Sequence, residues 1–228
     1  MLIIGHRGSS GTIPENTIES LTEAIRVGAD ILEFDVRLTK DKRPVLAHDR
    51  HILKAHHRLD YYRRHTLAEL KQRTKNSRYP ATTLEQALRV SYGRIVINIE
   101  IKESAAVEPI LKVAKKYIKT KGDWDNILFS SSSPFILRKL RKAAPKANLS
   151  LVHYSNPLTF LVWYRSLDLT AVGFHRLYLP SFSLSVAKEL GLFTYVYTVN
   201  RPQAAKKLLD KGVDGLVTDY PATMLKEV

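Results

Sequence analysis

The sequence predicts an α/β protein of the (β/α)8 TIM-barrel class. Three observations carry the prediction. Strand and helix signals alternate from one end of the chain to the other, and strands joined through helices pair in parallel. A length of 228 residues holds about eight such units, which favours a closed barrel over an open doubly wound sheet. Finally, residues 31–38 (ILEFDVRL) and 95–102 (IVINIEIK) alternate apolar with polar residues, so each strand presents one apolar and one polar face.

In chain order, residues 2–4 form a short apolar run that leads into Gly5-His6-Arg7-Gly8. A polar loop follows, with Asn16 or Thr17 as the N-cap of an amphipathic helix built on Leu21, Ala24 and Ile25 and stopped at Gly28. In strand 31–38, Phe34, Val36 and Leu38 point one way and Glu33, Asp35 and Arg37 the other. A charged turn leads to a third strand at 44–47 and then to His48-Asp49. Residues 50–80 break the rhythm: they are basic, rich in His and Tyr, and only 67–70 resembles a helix core. They read as a small substrate-facing insertion within a single domain spanning 1–228.

Order returns with a helix start at 83–86, strand 95–101, helix 107–118, strand 127–129, helix 134–143 and strand 149–152. Residues 157–169 are aromatic and apolar without a clear period. Strands at 171–174, 193–199 and 215–218 alternate with helices at 184–190, 204–209 and from Pro221.

The absence of cysteine excludes disulfides, thiolate chemistry and Cys-based zinc sites. With the first strand beginning at Leu2, no leader is expected ahead of it, and a cytoplasmic location follows. No apolar run approaches the roughly 18–20 residues that span a bilayer. The net charge of +14 favours anionic partners such as phosphate substrates or membrane surfaces. No nucleic-acid-binding motif accompanies it, so nucleic acid is not an expected partner.

Barrel enzymes place their functional groups at the C-terminal ends of strands. His6 and Arg7 follow the first strand, Glu33 and Asp35 lie late in the second, His48 follows the third, and Asn98, Glu100 and Lys102 share one face of the fourth. Carboxylates crowded on one face repel unless something compensates them. A hard divalent cation is the simplest compensation, and oxygen ligands suit Mg²⁺ or Ca²⁺ equally. His51, His56, His57, His65, His153 and His175 read as structural.

Taken together, His6-Arg7-Gly8, Pro14-Glu15-Asn16-Thr17, Glu33-Phe34-Asp35-Val36, His48-Asp49, Glu100-Ile101-Lys102 and Thr218-Asp219-Tyr220-Pro221 resemble the glycerophosphodiester phosphodiesterase family over nearly the whole chain. The resemblance implies hydrolysis of a small phosphodiester to sn-glycerol 3-phosphate and an alcohol, with one divalent metal. It implies that Glu33, Asp35 and Glu100 hold the metal, that His6 and His48 are the acid–base pair, and that Arg7 and Lys102 bind the phosphate. It also implies that the glycerol hydroxyl attacks first, giving a cyclic phosphate that water opens.

Asp219 reads as structural, and Tyr197 stands where the family usually has Trp. The segment after His48-Asp49 (HILKAHHR) departs from the family pattern, which leaves the preferred alcohol open. Two alternatives follow, the first from the apolar run 158–164 and the basic segment 50–78, the second from the positive charge. One is a lysophospholipase D-like activity with peripheral contact to an anionic membrane. The other is a non-catalytic protein that binds anionic ligands.

Overall fold

A computed structural model of the chain describes residues 1–52, 60–153, 156 and 158–228. Eight parallel strands close into a barrel: β1 (Leu2–His6), β2 (Ile31–Leu38), β4 (Val96–Ile101), β5 (Ile127–Ser131), β6 (Asn148–His153), β7 (Ala171–His175), β8 (Phe193–Tyr197) and β9 (Gly215–Thr218). Neighbours run β1-β9-β8-β7-β6-β5-β4-β2, and pairing of β1 with β2 closes the ring.

β3 (Pro44–Leu46) is not a stave of this barrel. It pairs antiparallel with β2, Val36 opposite Leu46 and Leu38 opposite Pro44. The reason is the short connection: residues 39–43 make a turn, whereas a parallel crossover needs a dozen or more residues. β3 is therefore an arm on β2, and the Ala47 amide donates to the Asp35 carbonyl at 3.0 Å, fixing the start of the His48 loop.

Among the described residues the helices are α1 (Ile18–Arg26), α2 (Leu67–Thr74), α3 (Leu84–Ser91), α4 (Val107–Ala114), α5 (Pro134–Ala143), α6 (Thr159–Leu167), α7 (Ser181–Glu189), α8 (Pro202–Asp210) and α9 (Pro221–Glu227). Thr17, not Asn16, caps α1 through its side chain. α2 and α3 both start with a reciprocal capping box, Thr66 with Glu69 and Thr83 with Gln86; such a cap contributes about 1 kcal/mol. α4 ends at Ala114 rather than at 118: Lys116 turns away to meet Glu85 at 2.7 Å, and the Tyr117 hydroxyl donates to the Glu85 carbonyl. The aromatic run becomes α6, with Phe160 buried against the barrel and Val162 exposed.

The alternation of β2 and β4 decides what is core and what is lumen. Leu32, Phe34, Val36, Ile97, Ile99 and Ile101 face outward into one apolar layer under the helices; truncating Phe34 to Ala would cost about 3–5 kcal/mol. The lumen floor is a separate plug of Ile4, Ile31, Ala171, Tyr195 and Val217. Gly173 makes room for it, since a Cβ there would lie 2.6 Å from the Tyr195 ring. Above that plug the lumen is polar.

In the described parts of the 50–80 segment, His51 bridges Tyr61 and the Ile52 amide donates to the Asp60 carbonyl at 2.9 Å. Ile52 and Leu70 are buried and anchor it. Lys54, His56, His57 and Arg58 lie outside the described residues. No helix among the described residues is long and apolar enough to cross a membrane.

Candidate active site

The site begins with the backbone after β1. Arg7 takes a left-handed conformation (φ 53°) and Gly8 follows at φ 90°. A Cβ on Gly8 would come within 2.4–2.5 Å of Ser20, so only glycine lets the chain turn this tightly against α1. The turn aims the Arg7 amide at Glu33 Oε2, 3.0 Å away, and its guanidinium at Glu15 Oε1 (3.1 Å) and Asp35 Oδ2 (3.0 Å).

Strand register then gathers the carboxylates. Asp35 pairs with Glu100 across β2 and β4, and His6 pairs with Glu33 across β1 and β2. Directly opposite residues on one face bring their side chains together. Oxygens of Glu33, Asp35 and Glu100 lie within 4.8 Å of one another. Lys102 Nζ stands between two of them, 2.9 Å from Asp35 Oδ1 and 2.6 Å from Glu100 Oε1. Asn16 completes the shell, its amide donating to Asp35 Oδ2 at 3.2 Å.

The three acids differ electrostatically. Burial alone would raise the Asp35 pKa, but Lys102 and Arg7 beside it hold the carboxyl well below the usual range, so it is ionised. Glu33 is pushed up, first by burial and then by the Asp35 charge. Its Oε1 has no hydrogen-bond partner. A buried acidic oxygen without a donor is costly, and a divalent cation among these three carboxylates would relieve that cost; the donor set fits a hard ion.

Two imidazoles flank the acids. His6 Nδ1 lies 2.6 Å from Asp219 Oδ1, and Asp219 is fixed in turn by Ser10 (2.8 Å) and Asn200 (2.5 Å). Burial pulls the His6 pKa down, yet the Asp219 hydrogen bond and the Glu33 charge outweigh it, and the net shift is upward. His48 Nδ1 lies 2.8 Å from Asp49 Oδ1. A carboxylate on Nδ1 fixes that nitrogen as the protonated one and leaves Nε2 with its lone pair.

A cavity of about 380 Å³ collects His6, Arg7, Glu33, His48, Glu100 and Lys102. Asp35 sits just beneath, 1% exposed. All seven residues singled out in the sequence thus meet at one place. The cavity also holds residues that the sequence pattern does not single out as a group: Asn98, Ser130, His175, Arg176, Tyr195 and Asn200. The strand-end rule that draws attention to His6 applies equally to His175, the last residue of β7. Asp219, which reads as structural in the sequence, orients His6. Tyr197 lines the cavity, so an aromatic side chain persists at the position where Trp is usual.

A closed parallel barrel with clustered carboxylates, two carboxylate-held imidazoles and two cations at the strand C-termini defines a phosphoester-processing type of site. The family comparison makes this specific. Residues 6–223 match the glycerophosphoryl diester phosphodiesterase family, and the chain belongs to that family of enzymes. It is 30% identical to a glycerophosphodiester phosphodiesterase of Caldanaerobacter subterraneus subsp. tengcongensis, over 100% of this chain and 97% of that protein. A phosphodiesterase of Oleispira antarctica, solved with the product sn-glycerol-3-phosphate, has the same fold with a TM-score of 0.90, at 27% identity and with 100% and 96% of the two chains covered. The glycerophosphodiester phosphodiesterase of Thermotoga maritima superposes with a TM-score of 0.84, at 27% identity and 99% and 97% coverage.

Proposed function

We propose that this chain hydrolyses glycerophosphodiesters to sn-glycerol 3-phosphate and an alcohol within its one barrel domain, using a single divalent cation, Mg²⁺ or Ca²⁺. The observation that carries the reading is the meeting of Glu33, Asp35 and Glu100 within 4.8 Å of each other in the cavity that His6 and His48 border. Charge balance supports it. Three carboxylates, the Arg7 and Lys102 side chains, a divalent cation and a singly charged phosphodiester together sum to neutrality, which a low-dielectric lumen favours.

In this reading Glu33, Asp35 and Glu100 hold the cation, which when bound withdraws charge from the non-bridging phosphate oxygens. Arg7 and Lys102 donate to those same oxygens, where charge grows in the transition state. One imidazole Nε2 takes the proton of the attacking glycerol hydroxyl as its oxygen bonds to phosphorus. The other Nε2 gives a proton to the departing alkoxide as its P–O bond breaks. Reversal of those proton transfers lets water open the cyclic phosphate. Each imidazole contributes roughly 10²–10⁴ in rate, and the intramolecular attack gains from proximity.

The test is release of glycerol 3-phosphate from glycerophosphoglycerol with Mg²⁺ or Ca²⁺ added, then after EDTA. Release that EDTA abolishes and fresh metal restores is the expected result. Release that EDTA leaves intact would remove the cation from the mechanism, and no release with either metal would sink the reading.

One observation favours a second substrate form, a lysolipid presented at a membrane. Phe135, Val162, Leu177, Tyr178 and Phe182 are exposed on α5, α6, the loop after β7 and the start of α7. Arg138 and Arg165, on α5 and α6, lie over Trp163 and Tyr164. Apolar residues interspersed with cations suit an anionic bilayer. A strong preference for lysophosphatidylglycerol over glycerophosphoglycerol would establish this form; equal or weaker turnover of the lipid would reject it.

A further inference from the structure

We propose that the site sorts leaving alcohols by charge, accepting neutral or anionic alcohols and disfavouring cationic ones such as choline and ethanolamine. The inference rests on the phosphodiesterase reading above and concerns the wall opposite the acids.

The carboxylates that border the cavity are Glu33 and Glu100. Both belong to the proposed cation cluster, and Glu100 is already within 2.6 Å of Lys102. Among the described residues the facing wall includes Val152, His175, Arg176, Tyr195, Tyr197 and Thr198, and of these Arg176 carries the one permanent charge, which is positive. Its guanidinium donates to the Thr198 carbonyl at 3.3 Å, holding it at the rim. No described carboxylate lies within ion-pair distance of Arg176.

The chain leaves little scope for a compensating acid, since Asp49, Glu15 and Asp219 next to the cavity are held by His48, Arg7 and His6. Between residues 131 and 201 the acidic residues are Asp168 and Glu189. Asp168 caps the C-terminus of α6 and Glu189 ends α7, and helix C-termini lie at the barrel face opposite the cavity. The loops after β5, β6, β7 and β8 contain no Asp or Glu, while Arg176 and Arg201 are among their residues. Within 50–80 the acids are Asp60 and Glu69. Asp60 is held by His65 at 2.5 Å, and Glu69 accepts from the Thr66 amide at 2.7 Å.

An ammonium entering this half of the cavity would lose water without meeting a carboxylate. Tyr195 and Tyr197 offer ring surface, but their hydroxyls are engaged with Ser150 and the His153 carbonyl, and Arg176 stands beside them. A quaternary ammonium meets aromatic surface there only next to a like charge. One like charge at a partly solvated rim lowers kcat/KM by about three- to tenfold. A polyol such as glycerol or inositol meets no such opposition and finds donors and acceptors in His175, Thr198 and Asn200.

The experiment compares kcat/KM for glycerophosphoglycerol, glycerophosphoinositol, glycerophosphocholine and glycerophosphoethanolamine, with Mg²⁺ present, for the wild type and for Arg176→Gln and Arg176→Glu. The wild type is expected to favour the two neutral alcohols by about three- to tenfold, with the gap narrowing as salt rises. Arg176→Glu is expected to bring the ratio to parity or reverse it, with Arg176→Gln between. Brisk turnover with choline equal to or ahead of glycerol, or a ratio unchanged in Arg176→Glu, overturns the charge inference and leaves the phosphodiesterase reading standing. Failure to cleave any of the four overturns both.

Discussion

On the β1–β2–β4 wall of the cavity, Asp35 and Glu100 lie at ion-pairing distances from Arg7 and Lys102, with Glu33 beside them. In and behind the β6–β8 wall, buried titratable groups are kept neutral instead, His153 on the outward, helix-facing side. Burial pushes the His153 pKa down to about 4, and it raises that of Tyr195 above its ordinary value. His153 packs beside Phe160 and Phe174 with Nε2 unpartnered. The first wall pairs Asp35 and Glu100 with cations, while the second keeps its buried groups neutral and carries charge at Arg176 on the rim. Paired buried charges are poor stabilisers. Their retention on one wall points to chemistry, while the other wall is free to shape the substrate.

The largest expected effect breaks the paired wall. Glu33→Gln or Glu100→Gln should lower turnover by at least about 10³-fold through loss of the cation. For Glu33→Gln the metal-free protein should nonetheless be more heat-stable. Burial and Asp35 raise the pKa of this carboxyl, so its native-state contribution is lost as pH rises from its ordinary value toward the raised one, and the amide removes that loss. Melting curves with EDTA at neutral pH check the sign; a lower midpoint would mean Glu33 is paired in a way the geometry does not show.

Next come the imidazoles. His6→Ala and His48→Ala should each lose about 10²–10⁴ in kcat while remaining folded, and near-normal turnover in either would refute the acid–base pair. Asp219→Asn should be milder, roughly 10–100-fold in kcat, since it removes an orienting partner and not the imidazole. The Asp219 hydrogen bond raises the His6 pKa, so the limb of the pH–rate profile that reports His6 should move to lower pH. A loss of rate with an unmoved limb would make Asp219 merely structural.

The smallest effect sharpens the neutral wall. His153 is neutral in the native state down to about pH 4, whereas in the unfolded chain it takes a proton near its ordinary pKa. Stability is therefore held above about pH 6.5 and lost as pH falls toward 4, by about 2–3 kcal/mol in all. His153→Phe, placed beside Phe160 and Phe174, should flatten that dependence in denaturant titrations between pH 7 and 4. An unchanged slope would show that other groups cause it.

Most of the site is legible in the amino-acid sequence, for a simple reason. A strand has a period of two, so ILEFDVRL and IVINIEIK already sort Glu33, Asp35, Glu100 and Lys102 onto the polar faces of otherwise apolar strands. The His6-Arg7-Gly8 position follows from the strand-end rule, whereas His48-Asp49 follows an antiparallel arm and not a stave, so the same rule reaches it only by treating β3 as a barrel strand. What stays hidden has physical causes too. His175 sits at the end of a short strand whose other residues are apolar or glycine, so no alternation advertises it. β3 resembles a ninth stave because its residues are apolar; only the length of the 39–43 turn argues otherwise.

The linear chain, then, settles which side chains face inward, because alternation is a local property that each strand carries on its own. It cannot settle register or closure, which depend on how strands distant in the chain slide against one another. Folding sets Asp35 opposite Glu100. By pairing the last strand with the first, it also brings Asp219 to His6 from 213 residues away. The carboxylate cluster and the oriented imidazole are both products of that long-range geometry, since neither partner has any local reason to meet the other.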